Sequence, residues 1–291
     1  MRIREPIVAG RFYPQDGTEC RTELQRLLSQ APACRESEVV PIAGLLPHAG
    51  WSYSGQVAAR VFSHLSTRPA PDVVVLFGGV HRSRGKEAAM FSSGRWETPV
   101  GSVAIDDRLS DRILSQTNLI VDDSYAHEDE HSIEVQLPFV RHLFPSAKMI
   151  PIMVPPGAHA HEVGEAVART LTVYRYNAVV VGTTDLTHYG PSYGFTPRGA
   201  EAKGRRWAKE ENDRRFLDRV CALQASELVA EAARHKNACS SGAAAATVAA
   251  AVALGATRAA VLEHTTSAEV FPSAEAAAPK DSVGYAGIVF A

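Results

Sequence analysis

The sequence has few cysteines and no motif that would pair them. The four, Cys20, Cys34, Cys221 and Cys239, are widely spaced in a chain of 291 residues, and none belongs to a C-x-x-C pair. Disulfide frameworks and structural zinc sites need cysteines at regular, close spacings. Neither is expected here, so any functional cysteine acts singly.

The chain also lacks an excess of charge and a long apolar run. Thirty basic and 32 acidic residues give a formal net charge of −2, and the basic cluster at 203–209, with Arg214 and Arg215, lies among glutamates. The N-terminal MRIREPIVAGRFYP has no apolar signal-peptide core, and no stretch approaches the ~18 apolar residues of a membrane span. We expect a cytoplasmic protein that binds neither nucleic acid nor a membrane.

The sequence contains a series of apolar runs that alternate with segments whose apolar residues have helical spacing. Hydrophobic residues make up 45% of the chain, enough for a large core in one large domain or two smaller ones. The predicted strands are 39–46, 72–79, 147–154, 177–184 and 257–265. The predicted helices are 55–65, 131–144, 162–171, 202–223 and 242–254. Strands without polar alternation, separated by helices, predict an α/β fold with a mostly parallel central sheet and helices on both faces.

Three of the predicted strands are followed by a histidine. His48 follows the first strand, His81 follows the Gly78-Gly79 pair that ends the second, and Asp185 and His188 follow the fourth. Ligands of open parallel sheets bind at the carboxyl ends of the strands. One such histidine is more often structural, but three at one edge favour metal binding or acid–base chemistry.

The segment HEDEH offers a competing interpretation. His127, Glu128 and His131 match H-E-x-x-H, the zinc-binding pattern of metallopeptidase helices. The apolar face begins only after His131, which instead predicts that the acids occupy the first turn of a helix and complement its dipole. A zinc peptidase is therefore the weaker alternative. His131 and Glu134 either face the crevice from this helix start or cap the helix.

Cys239 directly precedes the alanine-rich helix predicted at 242–254. A free cysteine often packs as a small hydrophobic residue, but a helix start lowers a thiol pKa and favours the metal-binding thiolate. No G-x-S-x-G, P-loop or G-x-G-x-x-G sequence follows a strand, which argues against common hydrolase, phosphate and dinucleotide sites.

Several motifs together resemble the Memo family, whose bacterial members are often called AmmeMemoRadiSam system protein B. They are REPIVAGRFYP, LLPHAGWSYSG, GGVHRS, WETPVG, EDEHSIEVQLPF, TTDLTHYG, the lone Cys239 and SVGYAGIVF. The resemblance runs from about residue 4 to the C-terminus and implies a single Memo-like α/β domain over residues 1–291. It also implies the fold of class III extradiol dioxygenases, α/β sandwiches that hold a non-haem iron at one edge of the sheet.

Carried over to this sequence, the resemblance implies a metal site of His48, His81 and Cys239, with Asp185 and His188 in the same pocket. His188 matches the acid–base histidine of the ring-cleaving enzymes, whereas Cys239 stands where those enzymes have a carboxylate ligand. The resulting hypothesis is an Fe(II)-dependent dioxygenase or other oxidoreductase acting on a small chelating substrate, with His131 hydrogen-bonding the substrate or oxygen. Thiolate ligation also suits Zn(II) or copper.

Two further expectations come from the same resemblance. One is that the protein is a non-catalytic binding or adaptor protein that keeps the pocket. The other is that it works with AMMECR-type and radical-SAM proteins, whose product would be its small-molecule substrate.

Overall fold

A large sheet with helices on either side forms the centre of the molecule. The computed structural model describes residues 2–31, 40–82, 85, 87–271 and 280–291. The strands are β1 (Ile3–Arg4), β2 (Ala43–Leu46), β3 (Val73–Gly78), β4 (Ala88–Met90), β5 (Arg95–Trp96), β6 (Val103–Ala104), β7 (Ile120–Asp122), β8 (Lys148–Met153), β9 (Ala178–Thr183), β10 (His188–Tyr189), β11 (Ala259–Thr266) and β12 (Ser282–Phe290). The α-helices are α1 (Gly17–Gln30), α2 (Trp51–Leu65), α3 (Asp107–Gln116), α4 (Leu137–Leu143), α5 (Ala160–Val173), α6 (Ala202–Trp207), α7 (Arg214–Cys221), α8 (Leu228–His235), α9 (Ser241–Ala253) and α10 (Ser267–Val270).

The central sheet is parallel in its middle and antiparallel towards its edges. Its order is β10-β12-β2-β9-β3-β8-β4-β7, with β11 paired to β12. The neighbours β2, β9, β3 and β8 are parallel to one another, whereas β12 and β4 run antiparallel to them. The carboxyl ends of β2, β9 and β3 therefore lie side by side at one edge. A separate small sheet has the order β1-β5-β6.

Alternate residues of the central strands pack into two cores. On β3, Val73, Val75 and Phe77 face one core, and Val74 and Leu76 face the other. The first core is closed mainly by α5, α7, α8 and α9, and the second by α1, α2 and α4. Burial on both faces explains why these strands are continuously apolar.

The predicted fold class is confirmed: the chain is α/β, with a mostly parallel central sheet covered by helices on both faces. The five predicted strands and most predicted helices are present with small shifts of their ends. The long helix predicted at 202–223 is interrupted, because residues 208–213 form a π-helix between α6 and α7.

The helix predicted at 131–144 begins later than expected. Residues 134–136 form a 3₁₀ turn, and α4 starts at Leu137 with Pro138 in its first turn, a position that suits proline. Glu128 and Glu130 therefore lie before the helix, and the prediction that these acids occupy its first turn was wrong.

Parts of three predictions lie outside the described residues: Cys34, the first residue of the strand at 39–46, and most of the loop predicted at 273–280. Cys20, Cys221 and Cys239 are free thiols. Within the described ranges, no helix is both long and apolar enough to cross a membrane.

Candidate metal centre

Two imidazoles and a thiol meet at the edge where β2, β9 and β3 end. His48 follows β2, His81 follows β3, and Cys239 lies just before α9. One ligand atom from each lies within 4.8 Å of the other two. Residues separated by up to 191 positions in the chain are thus brought to one point by the parallel sheet.

His48 is held in place from three sides. Its main-chain N–H donates to Asp185 Oδ1 at 2.9 Å, and its ring Nδ1 lies 3.0 Å from Thr183 Oγ1. These contacts leave Nε2 directed at Cys239 Sγ, 3.3 Å away. With His48 only 1% exposed, its ring has a single orientation available for ligation.

His81 is oriented by the carboxylate of Glu130. Its Nδ1 lies 3.0 and 3.1 Å from the two carboxylate oxygens, and its main-chain N–H donates to Glu130 Oε2 at 2.9 Å. Burial would lower the pKa of His81, but Cys239 and Glu130 together raise it to about 10. A carboxylate on Nδ1 orients the ring and would leave Nε2 to bind a metal, an arrangement common behind metal-binding histidines.

Glu130 organises the loop before α4 as well as His81. Its Oε1 accepts the main-chain N–H groups of His131 at 2.9 Å and Ser132 at 2.8 Å. Burial would raise the pKa of Glu130, but these hydrogen bonds and His81 hold it well below its usual range. This role of Glu130 was not predicted from the sequence, where it is one acidic residue within a run of three.

Cys239 is anchored to the loop that follows β9. The main-chain N–H of Asp185 donates to Cys239 Sγ at 3.3 Å, and the N–H of Cys239 donates to the Asp185 carbonyl at 3.1 Å. Burial would raise the pKa of the Cys239 thiol, but His48 and the other nearby imidazoles hold it well below its usual range. The sulfur is therefore set up to bind as a thiolate.

The other three predicted site residues surround this centre. Asp185 is buried and lies with its carboxylate 4.0 Å from His188 Nε2. The ring of His131 packs 4.8 Å from that of His81 and 5.6 Å from that of His48, centroid to centroid. Burial, with the charge of His48, lowers the pKa of His131 to about 4, so this ring is neutral near pH 7.

The π-helix at 208–213 supports the loop that carries Asp185 and His188. Asp213 accepts the main-chain N–H of Thr187 at 2.9 Å, and Asn212 donates to the Thr187 hydroxyl at 3.0 Å. Asp213 also lies 3.0 Å from His264 Nε2 on β11. A π-helix turn commonly marks a functional region, and this one buttresses the loop at the centre.

The donor set fits a transition-metal ion. Three groups can each hold one: His48, His81 and Cys239; His81, Glu130 and His131; and Asp185, His188 and Cys239. With a metal–nitrogen bond of ~2.1 Å and a metal–sulfur bond of ~2.3 Å, the two ligand atoms lie roughly 3.1 Å apart when the angle at the metal is a right angle. They lie roughly 3.6 Å apart when that angle is tetrahedral. The 3.3 Å between His48 Nε2 and Cys239 Sγ lies within that range. His188 Nε2 is also buried, with no hydrogen-bond partner among the described residues.

Two candidates from the HEDEH region lie away from the centre. His127 is fully buried, with its Nε2 3.0 Å from the Ala89 carbonyl and its ring packed against Trp96. Residues 125–127 form a 3₁₀ turn rather than a zinc-binding helix, so the H-E-x-x-H interpretation was wrong. Glu134 does not face the crevice, because its carboxylate binds Arg4 at 2.8 Å.

The chain resembles one family over nearly its whole length. The family model described as Memo-like protein matches residues 4–289. A MEMO1 family protein of Methanopyrus kandleri is 32% identical over 99% of this chain and 98% of its own. One of Pyrobaculum aerophilum is 31% identical over 100% of this chain and 99% of its own.

Among solved structures, the crystal structure of an uncharacterized protein from Escherichia coli K12 matches with a TM-score of 0.49 and 12% identity, covering 84% of this chain and 98% of that one. The family match and the aligned regions of these relatives extend over nearly the whole sequence. The chain belongs to the Memo family.

Proposed function

We propose that this protein is a metal-dependent oxidoreductase that holds Fe(II) with His48, His81 and Cys239 and acts on a small chelating substrate. The observation that carries the proposal is the convergence of these three donors within 4.8 Å, with Glu130 orienting His81 from behind. When bound, Fe(II) supplies redox chemistry and open coordination positions for a chelating substrate and dioxygen.

The remaining residues supply positioning and proton transfer. His188, half-buried beside Asp185, is the group proposed to move a proton to or from the substrate. Asp185 holds the backbone of His48 and lies close enough to His188 to orient it. His131, neutral near pH 7, offers a hydrogen bond to the substrate without adding a charge.

Metal analysis of anaerobically purified protein tests the ligand assignment. We expect about one iron per chain in the wild type, and loss of that iron in His48→Ala. His64→Ala is the matched control, because His64 lies on α2 with its Nδ1 on the Arg60 carbonyl and away from the centre. Iron retained in His48→Ala would refute the assignment.

Glu130→Gln tests the orientation of His81 in the same assay. Loss of a hydrogen-bonded carboxylate behind a metal-binding histidine typically costs about 10- to 100-fold in metal affinity. Glu128→Gln, an exposed neighbour, should leave the affinity unchanged.

Oxygen uptake separates catalysis from binding alone. Iron-loaded protein should consume dioxygen with catechol-type chelators, and His188→Ala should slow uptake without removing iron. Protein that binds no metal and consumes no oxygen would instead support the non-catalytic binding or adaptor alternative.

A further inference from the structure

A cavity of about 400 Å³ opens beside Cys239 and His188. This volume lies within the range of small-molecule sites. Because the cavity includes one proposed metal ligand and the proposed proton-transfer residue in its wall, a molecule that fills it reaches the centre.

The walls of this cavity are mostly apolar and, outside the proposed metal centre, carry one charge. Leu186, Tyr193 and Phe195 form part of the lining, and Lys236 is the only lysine, arginine, aspartate or glutamate among the described residues that line it. The Cys239 thiolate is paired with the imidazoles of the centre, so the ammonium of Lys236 is the charge left to favour an anionic group on an otherwise apolar ligand.

Lys236 has no counter-ion in the described part of the chain. Its ammonium lies 5.5 Å from the centre of the Phe195 ring, and its side chain makes no ion pair or hydrogen bond with the described residues. Its backbone adopts φ 53°, at the end of α8, where glycine is usually favoured. Lys236 is exposed, so its unpaired ammonium lies at the solvent-facing wall of the cavity, on a backbone conformation that carries some cost.

We propose that the substrate carries an anionic group, such as a carboxylate, which pairs with Lys236 while its apolar body packs against Phe195 and Tyr193. This assignment of the substrate class rests on the proposed function for its place beside the reacting centre. The charge pairing itself needs no metal, so it can be measured separately.

The test compares benzoate with benzamide, which has nearly the same shape and no charge, by ligand-observed NMR titration of the metal-free full-length protein. We expect benzoate to bind about fivefold more tightly than benzamide, a ratio that corresponds to the free energy of an ion pair at the protein surface. Lys236→Met should abolish this preference while keeping benzamide binding, and Lys236→Arg should retain it.

Lys148→Met is the control for the loss of one positive charge. Lys148 begins β8 at the opposite end of the parallel strands, so its removal should leave the preference intact. Equal affinities in the wild type, or an unchanged preference in Lys236→Met, would refute the anion site and leave the metal assignment standing. Iron retained in His48→Ala would refute the metal assignment and leave a measured anion preference standing.

Discussion

The pKa values of His127 and His81 are shifted in opposite directions because the neighbours of the two rings differ. Burial lowers the pKa of His127 to about 4, since its ring lies among Phe91 and Trp96 with only the Ala89 carbonyl as a hydrogen-bond partner. Burial acts on His81 too, but Cys239 and Glu130 raise its pKa to about 10. The same residue type is a neutral core group in one place and a candidate ligand in the other.

At this scale we predict that His127→Gln reduces the acid sensitivity of the fold. Between the folded pKa of about 4 and the ordinary 6.5, the unfolded chain binds a proton that the folded one does not. The contribution of neutral His127 is complete above pH 6.5 and is lost as the pH falls towards the folded value. Between about pH 7 and about pH 5, the wild-type free energy of unfolding should fall by about 2 kcal/mol more than that of His127→Gln in urea titrations.

Parallel pH dependences of the two proteins would contradict this assignment. Metal content serves as the control, because a histidine outside the centre should not affect it. His127→Gln should bind as much iron as the wild type.

Two elements of the centre, the turn after β3 and the start of α9, approach each other very closely. The turn after β3 passes against the start of α9, so that a Cβ on Gly79 would lie 1.9 Å from Ser240 Oγ and 2.8 Å from Ser240 Cβ. This approach sets His81 and Cys239, each one or two residues away, at ligand distance. Only glycine fits at position 79, because the start of α9 leaves no room for a side chain there.

For these elements we predict that Gly79→Ala destabilises the fold by about 1–3 kcal/mol, the usual cost of overpacking, and weakens metal binding. Combining Gly79→Ala with Ser240→Gly removes the clashing atoms and should restore much of the stability and of the metal affinity. Urea titration and metal affinity measure the two effects. Gly157→Ala is the matched control, because a Cβ there meets nothing within 4 Å. A double variant no more stable than Gly79→Ala would show that contact with Ser240 is not the cause.

In the molecule as a whole, a buried carboxylate joins the N-terminal segment to the loop of the centre. Glu134 is fully buried and accepts hydrogen bonds from Arg4 at 2.8 Å and Tyr13 at 2.9 Å, and from two main-chain N–H groups between them. Arg4 also donates to the carbonyls of His127 at 2.9 Å and Glu130 at 2.6 Å. The N-terminal segment thus holds the loop that orients His81.

At this largest scale we predict that Glu134→Ala destabilises the protein by about 3–5 kcal/mol, because Arg4 would remain buried without its partner. The N-terminal segment should also become sensitive to protease. Urea titration and limited proteolysis check both effects. Glu5 is an exposed residue next to Arg4 in the sequence, and Glu5→Ala should be as stable as the wild type. A Glu134→Ala variant as stable as the wild type would contradict the role of the Arg4–Glu134 pair.

The fold class could be read from the sequence because it depends on local patterns. Continuous apolar runs such as 72–79 predicted strands buried on both faces, and helical spacing between them predicted the covering layers. The π-helix at 208–213 could not be predicted, because its polar side chains contact residues far along the chain, such as Asp213 with His264 on β11.

The sequence by itself determined which residues follow the strands: His48, His81 and Asp185, together with a single cysteine before a helix. It did so because strand ends and helix starts are set by neighbours within a few positions. Only the tertiary structure decided that these groups meet, that Glu130 lies behind His81, and that His127 lies apart. Those contacts join positions far apart in the chain, and they form only when parallel strands align their carboxyl ends at one edge of the sheet.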